Sequence, residues 1–159
     1  MKEKFFTNTF LFDDHHQRIL LGMKLRGFGK GYWNGFGGKV DVGESLVDAA
    51  RREVQEECGL VVEHLEQVGL IKFASHFHHP GIFDVVNIFR ARGWSGDVRE
   101  TEEMRPQWFS LDAVPFAQMW PDAQLWFPWM LRGEGFVADI RVEEGDAVVS
   151  HTIQPHQYE

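Results

Sequence analysis

The hydrophobic pattern along the chain predicts strands near both ends and a helix between them. Residues 4–12 and 18–24 are rich in β-favouring side chains, and the turn signal Asp13-Asp14 separates them. We expect residues 61–74 to form a turn followed by the strand VGLIKFA, and residues 82–91 to form a further strand ahead of the polar loop GWSGDVRETEE. Later strands are predicted for WFSL, at the end of 101–111, and for a hairpin made of FVADIRV, the turn EEGD and AVVSHTI.

One stretch, residues 46–58, instead repeats its apolar positions with helical spacing. At about 100° per residue they form a single stripe. Ser45 is placed to cap the N-terminus of this helix, and Gly59 can end it in the left-handed conformation after about fourteen residues. The stripe consists of Leu46, Ala50 and Val54.

Three glutamates of this helix lie beside its apolar stripe, on the side that an ordinary surface helix turns toward the protein core. Glu53, Glu56 and Glu57 fall within an arc of about 100° beside the apolar stripe, whereas charges normally occupy the opposite face. Carboxylates crowded together near a core repel one another and are costly to desolvate unless a cation neutralises them. Ligands that offer only oxygen select hard divalent cations over zinc. The helix therefore predicts a site for magnesium, manganese or calcium.

Composition limits the classes of protein that this chain can represent. At 159 residues, with 43% hydrophobic and 25% charged content, we expect one domain spanning 1–159 and a monomer. A net charge of −8 argues against non-specific nucleic-acid binding. We predict no membrane span, because no apolar run approaches about 18 residues. The chain has a single cysteine, Cys58, so it can form no intrachain disulfide, and this favours a cytoplasmic location. Cys58 also has no adjacent base in the sequence that would activate it as a nucleophile.

The spacing of residues 38–60 carries a resemblance to a known family. This stretch contains Gly38, then five residues, Glu44, then seven residues, Arg52-Glu53-Val54, one residue, Glu56-Glu57, one residue and Gly59-Leu60. It resembles the complete Nudix box of the Nudix hydrolases. The resemblance implies an α/β fold, an α/β/α sandwich with a mixed central sheet. It also implies hydrolysis of a nucleoside diphosphate linked to another group, with the box as the site for metal and pyrophosphate.

Three longer stretches are similar to one branch of that family, the oxidised purine nucleoside triphosphate hydrolases of the 8-oxo-dGTP diphosphatase type. They are LLGMKLRGFGKGYWNGFGGKV, EEMRPQWF and PFAQMWPDAQLWFP. This similarity implies magnesium-dependent sanitation of the nucleotide pool, with manganese as a substitute ion, and so avoidance of DNA damage. The implied catalytic and metal-binding groups are the Gly37 carbonyl, Glu53, Glu56, Glu57 and Glu103. The implied substrate-binding residues are Thr9, Lys24, Phe28, Asn34, Phe36, Gly37, Gly38, Lys39, Phe73, Trp120, Pro121, Asp122 and Ala123.

The chemistry of the proposed base pocket agrees with this resemblance. Trp120 offers a large face on which a purine can stack. The Asp122 carboxylate can accept hydrogen bonds from a guanine edge, and Asn34 combines a donor with an acceptor. The alternative is a purely structural role, in which Asp122 is the N-cap of a helix that begins near Asp122 or Ala123. The family carries a second acid where this chain has Ala123, so we expect guanine-type substrates to be preferred to 2-hydroxyadenine-type ones.

Several alternatives stay open from the residues alone. Thr7 and Thr9 are equally explained by ordinary strand alternation. A zinc site at His76, His78 and His79 lacks a cysteine or carboxylate to complete it. The general base is Glu56, Glu53 or Glu103, with Arg52 orienting the cluster and Glu44 supporting the loop. The enzyme alternatives are Nudix hydrolases of ADP-ribose, dinucleoside polyphosphates or undamaged nucleotides, and the non-enzyme alternative is a nucleotide-binding module.

Overall fold

The computed structural model describes residues 2–75, 81–143 and 147–159. The predicted zinc ligands His76, His78 and His79 lie outside these ranges, and so do residues 144–146 of the predicted final turn. Within them the strands are β1 (Lys2–Asp13), β2 (Arg18–Lys24), β3 (Trp33–Asn34), β4 (Phe36–Lys39), β5 (Val61–Ser75), β6 (Ile82–Ser95), β7 (Met104–Ser110), β8 (Phe136–Val142) and β9 (Val148–Pro155). The helices are α1 (Leu46–Cys58) and α2 (Ala123–Leu131), with a short 3-10 turn at Phe116–Gln118.

The strands form one mixed sheet in the order β3-β2-β1-β6-β5-β8-β9. Two of its pairings, β1 with β6 and β5 with β8, are parallel, and the others are antiparallel. The first strand has two partners on the same side: its residues 6–9 pair with β4, and its residues 11–13 pair with β2. This division places the glycine-rich β4 beside the start of β1.

The two helices cover opposite faces of the sheet. Because successive side chains of a strand point to opposite faces, Phe10 and Phe12 join the apolar cluster under α2, whereas Leu11 joins the cluster under α1. Burial of each such side chain contributes about 1.5–3 kcal/mol. The arrangement confirms the predicted α/β class with a mixed sheet between helices. Among the described residues, no helix is long and apolar enough to cross a membrane.

The helix α1 begins and ends where the sequence predicts. The hydroxyl of Ser45 accepts a hydrogen bond from the amide of Asp48 at 3.1 Å, which satisfies one of the free amides of the first turn. At the other end Gly59 has a φ of 83°, a conformation that costs glycine little. The helix has 13 residues, so both its length and its caps are confirmed.

Strand boundaries differ from the sequence-based expectations in two places. Residues 61–67 were expected to form a turn, but they belong to β5, which passes through a register shift between Gln67 and Gly69. The reason is that β6 is longer than expected, reaching Ser95, and offers a pairing partner along most of this length. Strand β7 likewise starts at Met104, because that residue pairs with Lys24 of β2.

Candidate active site

Helix α1 carries two of its three candidate glutamates against the sheet. Glu57 is only 4% exposed and Glu53 is largely buried, as the helical periodicity predicted. Glu56, however, has 57% of its side chain exposed. The three acids therefore divide into two that line the interior and one that faces water.

Arg52 holds the acids of the box together. Its guanidinium donates to Glu44 at 2.8 Å and to Glu53 at 3.0 Å, and its Nη1 lies 3.3 Å from Glu56. A planar group with five donors suits such multiple pairing. The hydrogen bonds that Arg52 donates to Glu44 lower the pKa of Glu44 and are the main reason that the pKa of Arg52 is raised. Arg52 and Glu44 thus have the orienting and supporting positions that the sequence suggested.

The β4 strand approaches the acids through glycines that leave room for carboxylates. The amide of Gly37 donates to Glu57 Oε1 at 2.8 Å. A Cβ atom on Gly38 would lie 2.6 Å from Glu53 Oε1, which is shorter than a normal non-bonded contact. Glycine at this position lets the Glu53 carboxylate lie directly against β4, and a larger residue would displace that carboxylate.

A fourth acid, Glu103, reaches the same cluster from the loop before β7. Its Oε2 accepts a hydrogen bond from Lys24 Nζ at 3.2 Å, and its charge acts on Glu53 and Glu57. The Lys24 ammonium lowers the pKa of Glu103. Burial raises the pKa of Glu57 to about 8 and also raises that of Glu53. The buried carboxyls are consequently the ones whose ionisation a further cation would favour most.

The donor set fits a hard divalent cation in its chemistry. The acids of α1 and Glu103 offer oxygen alone, and two of them pay a desolvation cost that a cation would offset. Their side chains turn toward Arg52 and Lys24 in this structure, and no three acids, histidines or cysteines of the described chain converge as a ready metal cage. These residues are chemically suited to the ion, and the glutamate side chains would have to rotate for their carboxylates to coordinate it.

A cavity of about 600 Å³ runs from these acids across the sheet face covered by α2. Its volume is in the range of small-molecule sites. Glu57 and Lys24 line one end, and the wall elsewhere is rich in aromatic and amide side chains. Of the predicted site residues, the cavity brings together Lys24, Phe28, Asn34, Gly37, Gly38, Glu57, Phe73, Trp120, Asp122 and Ala123.

Three aromatic rings gather at one wall of the cavity. Phe28 stacks on Trp120 with ring centroids 5.0 Å apart and planes inclined by 27°. Tyr32 contacts the same indole at 4.7 Å. Phe28 is 71% exposed, so its ring lies over the indole from the solvent side. These rings form an apolar surface suited to the flat face of a nucleobase.

Two polar side chains in the cavity are held in fixed orientations. Asp122 Oδ2 accepts from Trp126 Nε1 at 2.8 Å. Asp122 occupies the N-cap position of α2, as the alternative interpretation expected, but its side chain makes no capping hydrogen bond. Asn34 Oδ1 accepts from Asn8 Nδ2 at 3.0 Å and from the Gly35 amide at 2.8 Å. Because the Asn34 side-chain oxygen already accepts these two hydrogen bonds, its NH₂ group is the part of the amide that can donate to a ligand in the cavity.

Four predicted substrate-binding residues do not line the cavity. Phe36 is 0% exposed and packs under α1, so its ring cannot touch a ligand, and Thr9 is likewise fully buried. Lys39 is exposed and Pro121 is partly exposed, and both lie outside the cavity wall. For Thr9 and Phe36 the expectation of direct contact is corrected, because the two are paired deep in the sheet.

The cavity also includes residues outside the predicted substrate-binding set. Thr7, rather than Thr9, is in its wall, together with Asn8. Strand alternation places Thr7 and Thr9 on one face and both are buried; Thr7 pairs with Gly38 of β4, whereas Thr9 pairs with Phe36. Lys4 and Asp84, on β1 and β6, line the cavity as well. Cys58 is fully buried, and burial raises the pKa of its thiol to about 11, which agrees with a packing role.

The chain is similar to known proteins both in sequence and in structure. A family model of the NUDIX domain matches residues 7–130. An oxidized purine nucleoside triphosphate hydrolase from Danio rerio is 50% identical over 136 residues, which cover 86% of this chain and 86% of that protein. The protein of the same description from Mus musculus is 49% identical over 138 residues, or 87% of each chain.

Among solved structures, a mutator MutT protein from Bacillus halodurans superimposes with a TM-score of 0.83. The match covers 94% of this chain and 97% of that one, at 23% sequence identity. At that identity the likeness establishes the fold and nothing further.

Proposed function

Because this chain belongs to the Nudix family, we propose that it hydrolyses oxidised purine nucleoside triphosphates such as 8-oxo-dGTP. The products are the nucleoside monophosphate and pyrophosphate. One observation carries the proposal: a single cavity joins the acid cluster at Glu57 to the aromatic and amide wall at Trp120 and Asn34. A nucleotide has the same two halves, a polyphosphate and a flat base. The relatives described as oxidized purine nucleoside triphosphate hydrolases support this choice of base.

Nudix hydrolases generally depend on divalent metal, and we propose magnesium as the ion, with manganese as a substitute. Glu53, Glu57, Glu103 and the Gly37 carbonyl would hold it, with Glu56 at the solvent side. A bound divalent ion neutralises charge on phosphoryl oxygens and lowers the pKa of water that it binds. This acidic chain, with a net charge of −8, needs such a cation to accept a polyphosphate.

We assign Glu56 to accept the proton from the water that attacks phosphorus. It is the most solvent-exposed acid of the cluster, and Arg52 fixes its direction through the guanidinium that also holds Glu53. A general base has to reach the attacking water, which a carboxyl as buried as that of Glu57 does less readily. Lys24, which contacts Glu103, is the cation of this chain best placed to meet the phosphate groups.

A substrate panel tests the proposal. Formation of the nucleotide products would be measured by anion-exchange chromatography, with magnesium, for 8-oxo-dGTP, 2-hydroxy-dATP, dGTP, ADP-ribose and a dinucleoside polyphosphate. We expect the highest kcat/KM for 8-oxo-dGTP. A higher value for ADP-ribose or the dinucleoside compound would assign the chain to another Nudix activity. Binding of 8-oxo-dGTP without any turnover would make it a nucleotide-binding module.

The remaining expectations about the whole protein belong to the same proposal. We propose that all 159 residues form one domain that acts as a monomer in the cytoplasm on a small nucleotide, without a nucleic-acid or membrane partner. Light scattering of the purified chain measures its mass, and a dimer would contradict the monomer.

A further inference from the structure

Two charged residues of the cavity have no role in the proposed reaction. Lys4 of β1 and Asp84 of β6 are direct neighbours in the parallel pairing of these strands, and Phe73 of β5 lies opposite Asp84. All three line the cavity. Neither the Lys4 nor the Asp84 side chain makes a hydrogen bond or an ion pair with another described residue.

This row lies on the sheet face that α2 covers. Lys4 is six residues before Phe10, whose ring meets that of Phe127 of α2 at 5.1 Å, and even separations along a strand share a face. The adjacent row is apolar and forms the floor of the cavity. It consists of Phe6, Val86 and Ile71, which are in register across the same three strands.

The opposite wall begins at Asn8, which orients Asn34, with Asp122 nearby. Trp126 connects Asp122 to this part of β1. Its indole N–H donates a hydrogen bond to Asp122, and its ring lies 5.8 Å from that of Phe10, two residues beyond Asn8. Lys4 and Asn8 are four residues apart, or about 13 Å along the strand. Subtracting a hydrogen bond of about 2.9 Å at each wall leaves about 7 Å, comparable to the width of a purine.

We propose that Asp84 and Lys4 recognise the oxidised imidazole edge of the purine, while Asn34 and Asp122 contact its pyrimidine edge. This inference rests on the proposed function and specifies how its substrate is distinguished. Oxidation at C8 gives the base an N7–H donor beside a C8=O acceptor. An acceptor at Asp84 beside a donor at Lys4 is complementary to that pair.

The same pair disfavours the undamaged base. Guanine presents the lone pair of N7 at this edge, which repels the Asp84 carboxylate, and its C8–H gives the Lys4 ammonium no acceptor. A site that is built to form hydrogen bonds penalises an analogue that leaves its polar groups unpaired. Discrimination between damaged and undamaged nucleotide would therefore depend on two residues far from the glutamates.

Steady-state kinetics of Asp84→Asn and Lys4→Met test this assignment. For each variant, kcat/KM would be measured with 8-oxo-dGTP, dGTP and 8-bromo-dGTP, which has bulk at C8 but no N7–H. For Asp84→Asn we expect the ratio of 8-oxo-dGTP to dGTP to fall by about 10- to 100-fold, the effect of a hydrogen bond to a charged group. Lys4→Met should lower the same ratio, and 8-bromo-dGTP, which keeps the N7 lone pair of guanine, should respond to both changes as dGTP does.

The matched control is Asp139→Asn, an exposed acid on β8 of the same sheet that lies outside the cavity. It should leave all three rates unchanged, and melting temperatures confirm that each variant folds. An unchanged 8-oxo-dGTP to dGTP ratio in Asp84→Asn, or an equal fall for both nucleotides, would overturn the inference and leave the proposed function intact. Failure of the unmodified protein to hydrolyse 8-oxo-dGTP would instead overturn the proposed function.

Discussion

Trp126 donates its indole N–H to the carboxylate of Asp122 at 2.8 Å, one helical turn away, and both side chains are buried. The bond holds an anionic acceptor near the aromatic wall of the cavity. Ala123, the next residue, also lines the cavity and contributes no polar group. The pocket therefore has a single carboxylate at this wall, and the choice of base depends on it.

Base preference follows from that single acid. We expect 8-oxo-dGTP to have a higher kcat/KM than 2-hydroxy-dATP, because guanine offers two adjacent donors to one carboxylate, whereas paired acids can share a proton and suit more bases. Ala123→Asp should narrow the difference, with a melting temperature measured to verify folding. A higher kcat/KM for 2-hydroxy-dATP in the unmodified protein would contradict this prediction.

Replacement of Glu56 by Gln should separate catalysis from stability. We expect turnover to fall by about 10²- to 10⁴-fold, the usual contribution of a general base. The melting temperature should stay near that of the unmodified protein, because Glu56 is exposed and pairs only at the surface with Arg52. Glu66→Gln, at a similarly exposed acid of β5, is the control. Unchanged turnover in Glu56→Gln would remove this residue from the mechanism.

Magnesium binding should be visible without any enzymatic assay. At a concentration of 100 times its dissociation constant, an ion that binds only the folded protein stabilises it by about 2.7 kcal/mol. For a domain of this size the melting temperature would rise by roughly 5–10 °C. We expect this rise to shrink in Glu53→Gln and to persist in Glu66→Gln. An equal rise in both variants would place the ion away from α1.

Stability at alkaline pH should depend on Tyr158. Burial raises the pKa of its phenol to about 12, from an ordinary value of 10.0, and the hydroxyl donates to the Phe136 carbonyl at 2.7 Å. Between these two values the unfolded chain has released a proton that the folded chain retains. The contribution to stability is therefore complete below pH 10 and is lost as pH rises through about 12.

Urea unfolding at several pH values between 8 and 11.5 measures this effect. The free energy of unfolding should decline above pH 10 in the unmodified protein and decline less in Tyr158→Phe. The variant should also be less stable by about 0.5–1.5 kcal/mol at pH 8, because it lacks the hydrogen bond. An equally steep decline in both proteins would assign the alkaline effect to other groups.

Features that depend on near neighbours in the chain could be predicted from the order of the residues alone. The bounds of α1 follow from Ser45, Gly59 and a 3.6-residue period, and the burial of Glu53 and Glu57 follows from the same periodicity. These are local properties, because a cap and a helical face are defined within a few residues.

Only the tertiary structure decided which residues share the cavity. Thr7 of β1 is in its wall whereas Thr9 and Phe36 are not, and the pairing of β1 with β6 brings Lys4 beside Asp84. These residues are far apart in sequence, and a shift of one residue in the register would turn each side chain to the other face. Strand pairing is a property of the folded sheet, and neither hydrophobic pattern nor motif spacing specifies it.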